Sequence, residues 1–187
     1  NDDEAATAAK IAAILEEPPR MGNSDLGVAF SRNQPAWQQR SQQLLKRLNV
    51  RGGEADSSLI APLLAGAFAD RIARRRGQDG RYQLANGMGA MLDADDALSR
   101  HEWLIAPLLL QGRASPDARI LLALLVDIDE LVQRCPQLVQ QSDTVEWDDA
   151  QGTLKAWRRL QIGQLTVKVQ PLAKPSEDEL HQAMLNG

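Results

Sequence analysis

A group of arginines that ends in a tyrosine is the part of the sequence best suited to bind a charged ligand. Its members are Arg71, Arg74, Arg75, Arg76, Arg81 and Tyr82. If the preceding helix continues, Arg71, Arg74 and Arg75 lie on one face of it, because residues three and four apart are neighbours on a helix. Guanidinium forks bind phosphate bidentately, and each neutralised phosphate releases counterions. With Tyr82 on an adjoining strand to stack a base, the group predicts a contact with RNA.

A second, weaker group of cationic and aromatic residues lies on a predicted strand further along the chain. It consists of Lys155, Trp157, Arg158 and Arg159. Because side chains alternate along a strand, Trp157 and Arg159 are predicted to point to one side and Arg158 to the other. Lys155, Arg158 and Arg159 are therefore further candidates for nucleic-acid contact.

A purely structural interpretation of the arginine-rich group competes with the ligand-binding one. Arginines near a helix C-terminus interact favourably with the helix dipole. Asp70 and Asp79 are close enough in sequence to pair with them. The residues alone favour this interpretation, in which the arginines form a solvated helix end.

The residues that catalysis would require are missing from the sequence. The glycine-containing stretches 52–54 and 86–89 lack the lysine and hydroxyl that follow the glycines of a phosphate-binding loop. His101, His181 and Cys135 are far apart in the sequence, which favours structural roles over a metal site or a nucleophile. We therefore predict no catalytic residue, no cofactor and no metal in this chain.

The composition is that of a soluble globular protein. The chain has 187 residues, of which 43% are hydrophobic and 25% charged, and its net charge is −4, which allows one ordinary domain or two small ones. A single cysteine fits a reducing compartment, and no apolar run is long enough to span a membrane. The acidic start is unlike a signal peptide. We expect a cytoplasmic protein, and the absence of an initiator Met suggests an excised piece.

The first part of the chain has the apolar spacing of short helices. Apolar residues recur every three or four positions over residues 8–15, and Pro18 follows them. Ser24 is placed to cap a second helix that runs through Phe30, and Pro35 opens a third. Asp56 or one of the two serines after it caps a fourth. These elements predict a helical bundle.

Hairpin signals replace the helical pattern near Gly77. Asn86-Gly87 lies between two strand-like segments and tolerates positive φ at both central positions of a tight turn. Two long apolar runs follow, Trp103–Leu110 and 118–126, which we interpret as buried strands rather than buried helices. A helix is predicted to start at Asp127 or Asp129.

Three shorter strands and a final helix complete the predicted elements. The strands are predicted at 144–147, 153–159 and 164–170, and the helix from Ser176 to Gly187. About six strands with hairpin turns suit a small barrel or a twisted sheet. The predicted class is α+β: a helical bundle over residues 1–76, then a small OB-like β-barrel or sheet domain with a C-terminal helix over residues 77–187.

Two adjacent segments of the sequence resemble one known family. The stretch 63–76 contains Asp70-Arg71-Ile72-Ala73, and the stretch 81–87 runs from Arg81-Tyr82 to Gly87. Together they resemble the region of bacterial HrpB-type DEAH-box ATP-dependent helicases that joins the helicase-associated, or ratchet, bundle to the following β domain. The order and character of the later elements are also similar, so the resemblance covers essentially the whole chain. Ala69 stands where the family has a proline.

The resemblance implies that this chain is an accessory part of a larger enzyme. The parent would carry two RecA-like motor domains upstream, with ATP and Mg²⁺ as their cofactors, and would hydrolyse nucleoside triphosphate to move along RNA. The ratchet bundle of relatives lines the nucleic-acid channel, and their OB-like domain contacts emerging RNA. The implied partners are RNA or another nucleic acid, the motor domains of the same parent chain and, as a further option, a protein partner.

A different class of function stays open at this point. The chain can instead be a protein-interaction scaffold that docks on a motor or another protein through an apolar helix face or the edge of the β domain. In that case the arginines are surface residues without a nucleic-acid contact.

Overall fold

The structure, a computed structural model, describes residues 1–19, 24–172 and 184–186. Along the described chain, four α-helices are followed by five strands, a fifth α-helix and three further strands. The helix predicted from Ser176 falls largely outside the described residues. The remaining elements confirm the predicted α+β class.

Helices α1 (Asp2–Glu16), α2 (Leu26–Ser31) and α3 (Pro35–Arg47) form the first layer of the molecule. The cap of α2 is Asp25, whose Oδ1 accepts from the Gly27 amide at 2.9 Å, so the predicted cap at Ser24 is wrong by one residue. The Ser24 hydroxyl instead lies 2.6 Å from a carboxylate oxygen of Asp96.

Trp37 packs α3 against α1. Its side chain is buried, and its indole Nε1 donates to the carbonyl oxygen of Glu17 at 2.9 Å. Leu44 and Leu45 on α3 are only partly buried, and Leu48, which follows the helix, is 70% exposed.

Helix α4 (Ile60–Ala67) does not continue into the arginine-rich segment. It is followed by one turn of 3₁₀ helix at Ala69–Arg71 and then by strand β1 (Ile72–Arg75), so the prediction of a continuous helix is wrong. Ile72 and Ala73 are both fully buried, on opposite sides of β1. Pairing of β1 with two neighbouring strands outweighs the helix propensity of Ala and Arg, which is only a weak local preference.

Strands β1, β2 (Arg81–Leu84), β3 (Gly89–Met91), β4 (Trp103–Leu110) and β5 (Ala118–Leu125) form a closed barrel. The order around the barrel is β1-β2-β3-β5-β4, and only the β3–β5 pair is parallel. The predicted hairpin and the two predicted apolar strands are confirmed. This closure leaves no free edge among the five strands.

The hairpin turn between β2 and β3 differs in detail from the prediction. Gly87 has a φ of 91°, whereas Asn86 is not among the residues with positive φ. The Gly87 amide donates to the Leu84 carbonyl oxygen, and the Leu84 amide donates to the Met88 carbonyl oxygen. Only the glycine position therefore needs the left-handed conformation.

Helix α5 (Ile128–Arg134) is capped by Asp127 and leads into a separate three-stranded antiparallel sheet. The strands are β6 (Gln140–Asp148), β7 (Thr153–Ile162) and β8 (Leu165–Pro171). The three predicted strands are confirmed, but they extend beyond their predicted ends. They also lie outside the barrel: the predicted small OB-like barrel is the closed five-stranded one, and these three strands form a second sheet beside it.

Two hydrophobic clusters hold these layers together. One fills the barrel and includes Tyr82, Leu84 and Leu104. The other lies between the outer barrel wall, the helices and the turn of the β7–β8 hairpin, where Ile162 and Leu165 are buried. Because helices and strands share this second cluster, the division into residues 1–76 and 77–187 stays a prediction.

Candidate nucleic-acid interface

Arg74 is partly exposed and links the barrel to the three-stranded sheet. Its Nη2 lies 3.0 Å from a carboxylate oxygen of Glu102, and its guanidinium lies 5.2 Å from the centre of the Trp103 ring. Its Nη1 donates to the Thr166 carbonyl oxygen on β8. We therefore assign Arg74 a structural contact that the sequence reasoning missed.

The other predicted arginines are also held mostly by protein groups. Arg71 donates to the Pro107 carbonyl oxygen at 3.3 Å, and Arg81 lies 3.2 Å from Asp117. Arg75 pairs with Asp79 at 3.5 Å and donates to the Arg100 carbonyl oxygen.

Asp79 was one of the two acidic partners predicted for these arginines. Arg76 is exposed, and no side-chain hydrogen bond or ion pair involves it within the described part of the chain. The helix face that was predicted to align Arg71, Arg74 and Arg75 does not exist, because these residues lie in a 3₁₀ turn and a strand. The ion pairs of Arg75 and Arg81 are partly exposed, and exposed ion pairs stabilise the folded state by only roughly 0–1 kcal/mol.

Tyr82 is a core residue in this structure. It is 2% exposed, inside the barrel, and its hydroxyl lies 2.9 Å and 2.7 Å from the carbonyl oxygens of Leu98 and His101. The ring has no open face on which a base could stack. Burial raises the pKa of its phenol to about 12, because the charged form is poorly solvated there.

The titration of this phenol is a direct test of its burial. The chain has a single tyrosine, so the tyrosinate absorbance reports Tyr82 alone. We expect a midpoint near 12 in the folded protein and near about 10 in denaturant. The sign follows from the raised pKa: the contribution to stability is complete below pH about 10 and is lost as the pH rises towards about 12. A folded-state midpoint near about 10 would mean that the ring is accessible.

The second group of candidates is divided between the two faces of the three-stranded sheet, as predicted. Thr144 lies opposite Trp157 and Ser142 opposite Arg159, so these side chains share one face. Arg158 lies on the other face, where it pairs with Asp143 at 3.0 Å. The guanidinium of Arg158 holds the pKa of the Asp143 carboxyl below its usual value.

Lys155 shares the face of Trp157 but is held by an acidic neighbour. Its ammonium lies 2.5 Å from Asp148. This pairing lowers the pKa of the Asp148 carboxyl. Lys155 therefore offers less free positive charge to a ligand than its sequence position suggests.

An open cleft of about 490 Å³ lies on the Trp157 side of the sheet. Its lining residues define what we call the platform face: Ser142, Thr144, Glu146, Trp157, Arg159 and Val169. Trp157 is half-buried and Val169 is 49% exposed, so an aromatic and an aliphatic surface are both accessible. The Arg159 and Glu146 side chains form no ion pair or hydrogen bond with any residue that the structure describes. The face combines a stacking surface, hydroxyls and one unneutralised cation.

Only part of the platform face was accessible to sequence reasoning. The alternation along β7 places Trp157 beside Arg159, but it says nothing about which strands flank them. Ser142, Thr144 and Val169 join the site through the pairing register of β6 and β8. The alternating hydroxyls of Ser142 and Thr144 were the available signal for a polar strand face.

A smaller cavity, of about 210 Å³, lies between α4, the end of β5 and α5. The charged side chains that line this cavity mostly form hydrogen bonds or ion pairs with other groups of the cavity wall. Arg134 donates to the Ser58 carbonyl oxygen at 2.7 Å and lies 3.9 Å from Glu130. The platform face is therefore the stronger candidate for an anionic ligand.

The comparisons with known proteins agree with this architecture. The chain is 99% identical, over all 187 residues, to the ATP-dependent RNA helicase HrpB of Escherichia coli strain K12. A family model described as "ATP-dependent RNA helicase HrpB, connector region" matches residues 138–172. The chain is therefore similar, over its whole length, to this HrpB protein. It spans 23% of the length of this E. coli relative.

Two solved structures of HrpB proteins have the same fold over the whole chain. One is described as the E. coli DExH-box NTPase HrpB, with 99% identity and a TM-score of 0.87. The other is described as the E. coli DEAH/RHA helicase HrpB, with 90% identity and a TM-score of 0.81. The chain covers 23% of each of these structures.

The segment that the connector-region model matches coincides with the three-stranded sheet. The matched residues 138–172 enclose all of β6, β7 and β8 and so include the whole platform face. Of the segments that carried the sequence resemblance, 63–76 and 81–87 lie outside this match, whereas the later segment 144–165 lies within it. None of the helices in the described part of the chain has the length and hydrophobicity of a membrane span. No group of three or more potential metal ligands is found among the described residues.

Proposed function

We propose that this chain is an accessory, C-terminal region of an ATP-dependent RNA helicase and that it contacts single-stranded nucleic acid through the platform face. The observation that carries the proposal is the unpaired Arg159 guanidinium beside the accessible Trp157 ring in one open cleft. Proteins that bind single strands combine cations for the backbone with aromatic rings on which bases stack. Hydroxyls such as those of Ser142 and Thr144 add hydrogen bonds to phosphate or sugar.

The motor functions belong to the rest of the parent protein in this proposal. Hydrolysis of ATP, with its Mg²⁺, takes place on motor domains that this chain does not contain, and those domains are its intramolecular partners. The E. coli relative, which is described as an ATP-dependent RNA helicase, supports this division. The chain itself contributes a surface that guides RNA, and a cytoplasmic location follows from that role.

Substitutions on the two faces of the sheet test the RNA contact. We expect Trp157→Ala to weaken binding of single-stranded RNA by roughly 1–3 kcal/mol, the usual contribution of one stacked base. We expect Arg159→Ala to make the dependence of log K on log salt shallower by about 0.7, the value for one phosphate contact on a single strand. Binding is measured on the 187-residue chain and on the whole E. coli relative, at several salt concentrations.

The opposite face of the sheet supplies matched controls. Arg158→Ala removes the same side chain one position away, and Trp147→Ala removes a tryptophan that is 59% exposed. Both are expected to leave affinity and salt dependence unchanged. If Trp157→Ala and Arg159→Ala change RNA affinity and salt dependence no more than the two control variants do, the platform face does not bind RNA.

A protein-interaction scaffold remains the second candidate function. It is favoured by the outer edge of β6, whose backbone pairs only with β7 within the described chain, and by the exposed Trp147 beside that edge. Open strand edges can pair with a segment of another protein. Unchanged RNA binding in all four variants, together with lost ATPase stimulation or lost assembly in Trp147→Ala, would favour the scaffold.

A further inference from the structure

Glu146 is an unexpected residue in a cleft that accepts RNA. A carboxylate repels phosphate and cannot donate a hydrogen bond. Lys155 lies directly opposite Glu146 in the β6–β7 register, which is the position of a cross-strand ion pair. Lys155 instead pairs with Asp148 at 2.5 Å. The Glu146 carboxylate therefore lines the cleft without a cationic partner among the described residues.

The order of side chains along the sheet separates the two charges of the platform face. Ser142, Thr144 and Glu146 follow one another on β6, and Arg159 lies opposite Ser142 while Trp157 lies opposite Thr144. At about 3.3 Å per residue, Glu146 is roughly 13 Å along the strand from the Arg159 end. The aromatic ring lies between the cation and the carboxylate.

This arrangement orients a nucleotide on the ring. Its phosphate is attracted to the Arg159 end and repelled from the Glu146 end, where Asp149 adds negative charge to the neighbouring surface. A base stacked on Trp157 therefore directs its hydrogen-bonding edge towards Glu146. Bases of single-stranded RNA are commonly recognised in this way, by stacking together with hydrogen bonds to the Watson–Crick edge.

The donor pattern of the four bases then decides which of them fits a carboxylate. The Watson–Crick edge of guanine presents two adjacent donors, N1–H and the N2 amino group, and so matches the two carboxylate oxygens. Adenine and cytosine each have a ring-nitrogen acceptor beside their amino group. In a bidentate arrangement this nitrogen would face a carboxylate oxygen, and the two partial negative charges would repel. Uracil has one N–H between two carbonyl oxygens.

We propose that Glu146 makes the platform face selective for guanine, through bidentate acceptance from the guanine Watson–Crick edge while the base stacks on Trp157. This inference rests on the proposed function, since it requires that single-stranded RNA occupies the platform face. Stacking and phosphate binding alone would not distinguish one base from another. The Glu146 carboxylate adds a preference for one base.

Four short single-stranded RNA probes test the selectivity. Each is an oligouridine with one central position that is guanine, adenine, cytosine or left as uracil, and binding is measured by fluorescence anisotropy with the 187-residue chain. We expect the guanine probe to bind about fivefold or more tightly than the others, the lower end of what one bidentate base contact supplies. A probe with inosine, which lacks the amino group, should lose most of this gain.

Variants identify the residue that is responsible. Glu146→Gln should abolish the preference for guanine and leave the affinity for oligouridine unchanged or higher, because it removes both a base contact and a negative charge. Asp149→Asn removes a negative charge from the adjoining turn and should keep the preference.

The outcomes separate this inference from the proposed function. Equal affinity for all probes, or a guanine preference that survives Glu146→Gln, overturns the role of Glu146. If in that case Trp157→Ala still weakens binding, the RNA contact of the platform face stands. If Trp157→Ala has no effect on any probe, both proposals fail.

Discussion

Replacing Trp37 by Ala is expected to lower the free energy of unfolding by about 3–5 kcal/mol, as is usual when a buried tryptophan is truncated. The indole is 2% exposed and lies in the core between α1 and α3. Truncation leaves a cavity that the surrounding helices fill only in part. It also removes the donor to the Glu17 carbonyl oxygen. Urea denaturation of the 187-residue chain measures the loss.

Two further variants separate the contributions at this position. Trp37→Phe keeps an aromatic ring but no donor, so it should cost less than Trp37→Ala. Trp147→Ala truncates a tryptophan that is 59% exposed, and its cost should stay within about 0.5 kcal/mol. Similar losses for Trp37→Ala and Trp147→Ala would contradict the burial of α3 against α1.

The second large effect is expected at Gly163, in the turn between β7 and β8. Its φ is 55°, and a Cβ at this position would lie 2.4 Å from the Ala85 carbonyl oxygen on the barrel. That oxygen also accepts from the Gln164 amide at 2.8 Å, so it cannot move away without loss of the hydrogen bond. Gly163→Ala should therefore combine the left-handed backbone penalty with a steric one, about 2–5 kcal/mol in total.

Gly152 offers a matched control for the backbone part of this effect. It lies in the turn between β6 and β7 with a φ of 62°, and a Cβ there would meet nothing within 4 Å. Gly152→Ala should cost only the left-handed penalty, about 1–2 kcal/mol. Hydrogen exchange at the Gln164 amide should accelerate in Gly163→Ala alone. Equal destabilisation by the two variants would mean that the β7–β8 turn does not dock on the barrel.

The local pattern of residues was sufficient for most of the elements. Pro18 and Pro35 mark the end of one helix and the start of another because proline restricts the backbone wherever it stands. Asp127 caps α5 as predicted, since its carboxylate accepts from the Asp129 and Glu130 amides. Alternation along β7 correctly placed Trp157 and Arg158 on different faces. Each of these features depends on neighbours within a few residues.

The arginine-rich segment shows where local pattern misleads. Residues 69–76 have good helix propensity, yet Ile72 and Ala73 pair with Ile105 and Leu104, which are more than thirty positions away in the sequence. The energy of closing the barrel and burying both side chains exceeds the small propensity difference. The same pairing turns Tyr82 inward and brings Arg74 to the Thr166 carbonyl oxygen.

The presence of most helices and strands, the α+β class and the resemblance to HrpB were accessible from the chain as written, because they depend on residue type and short-range spacing. The tertiary structure alone decided that the strands divide into a closed barrel and a separate sheet. It also decided which cations are neutralised, and it left Arg159 beside an accessible tryptophan with no ionic partner among the described residues. These properties depend on which distant strands pair and in which register, and a shift of one residue would exchange the two faces of the sheet.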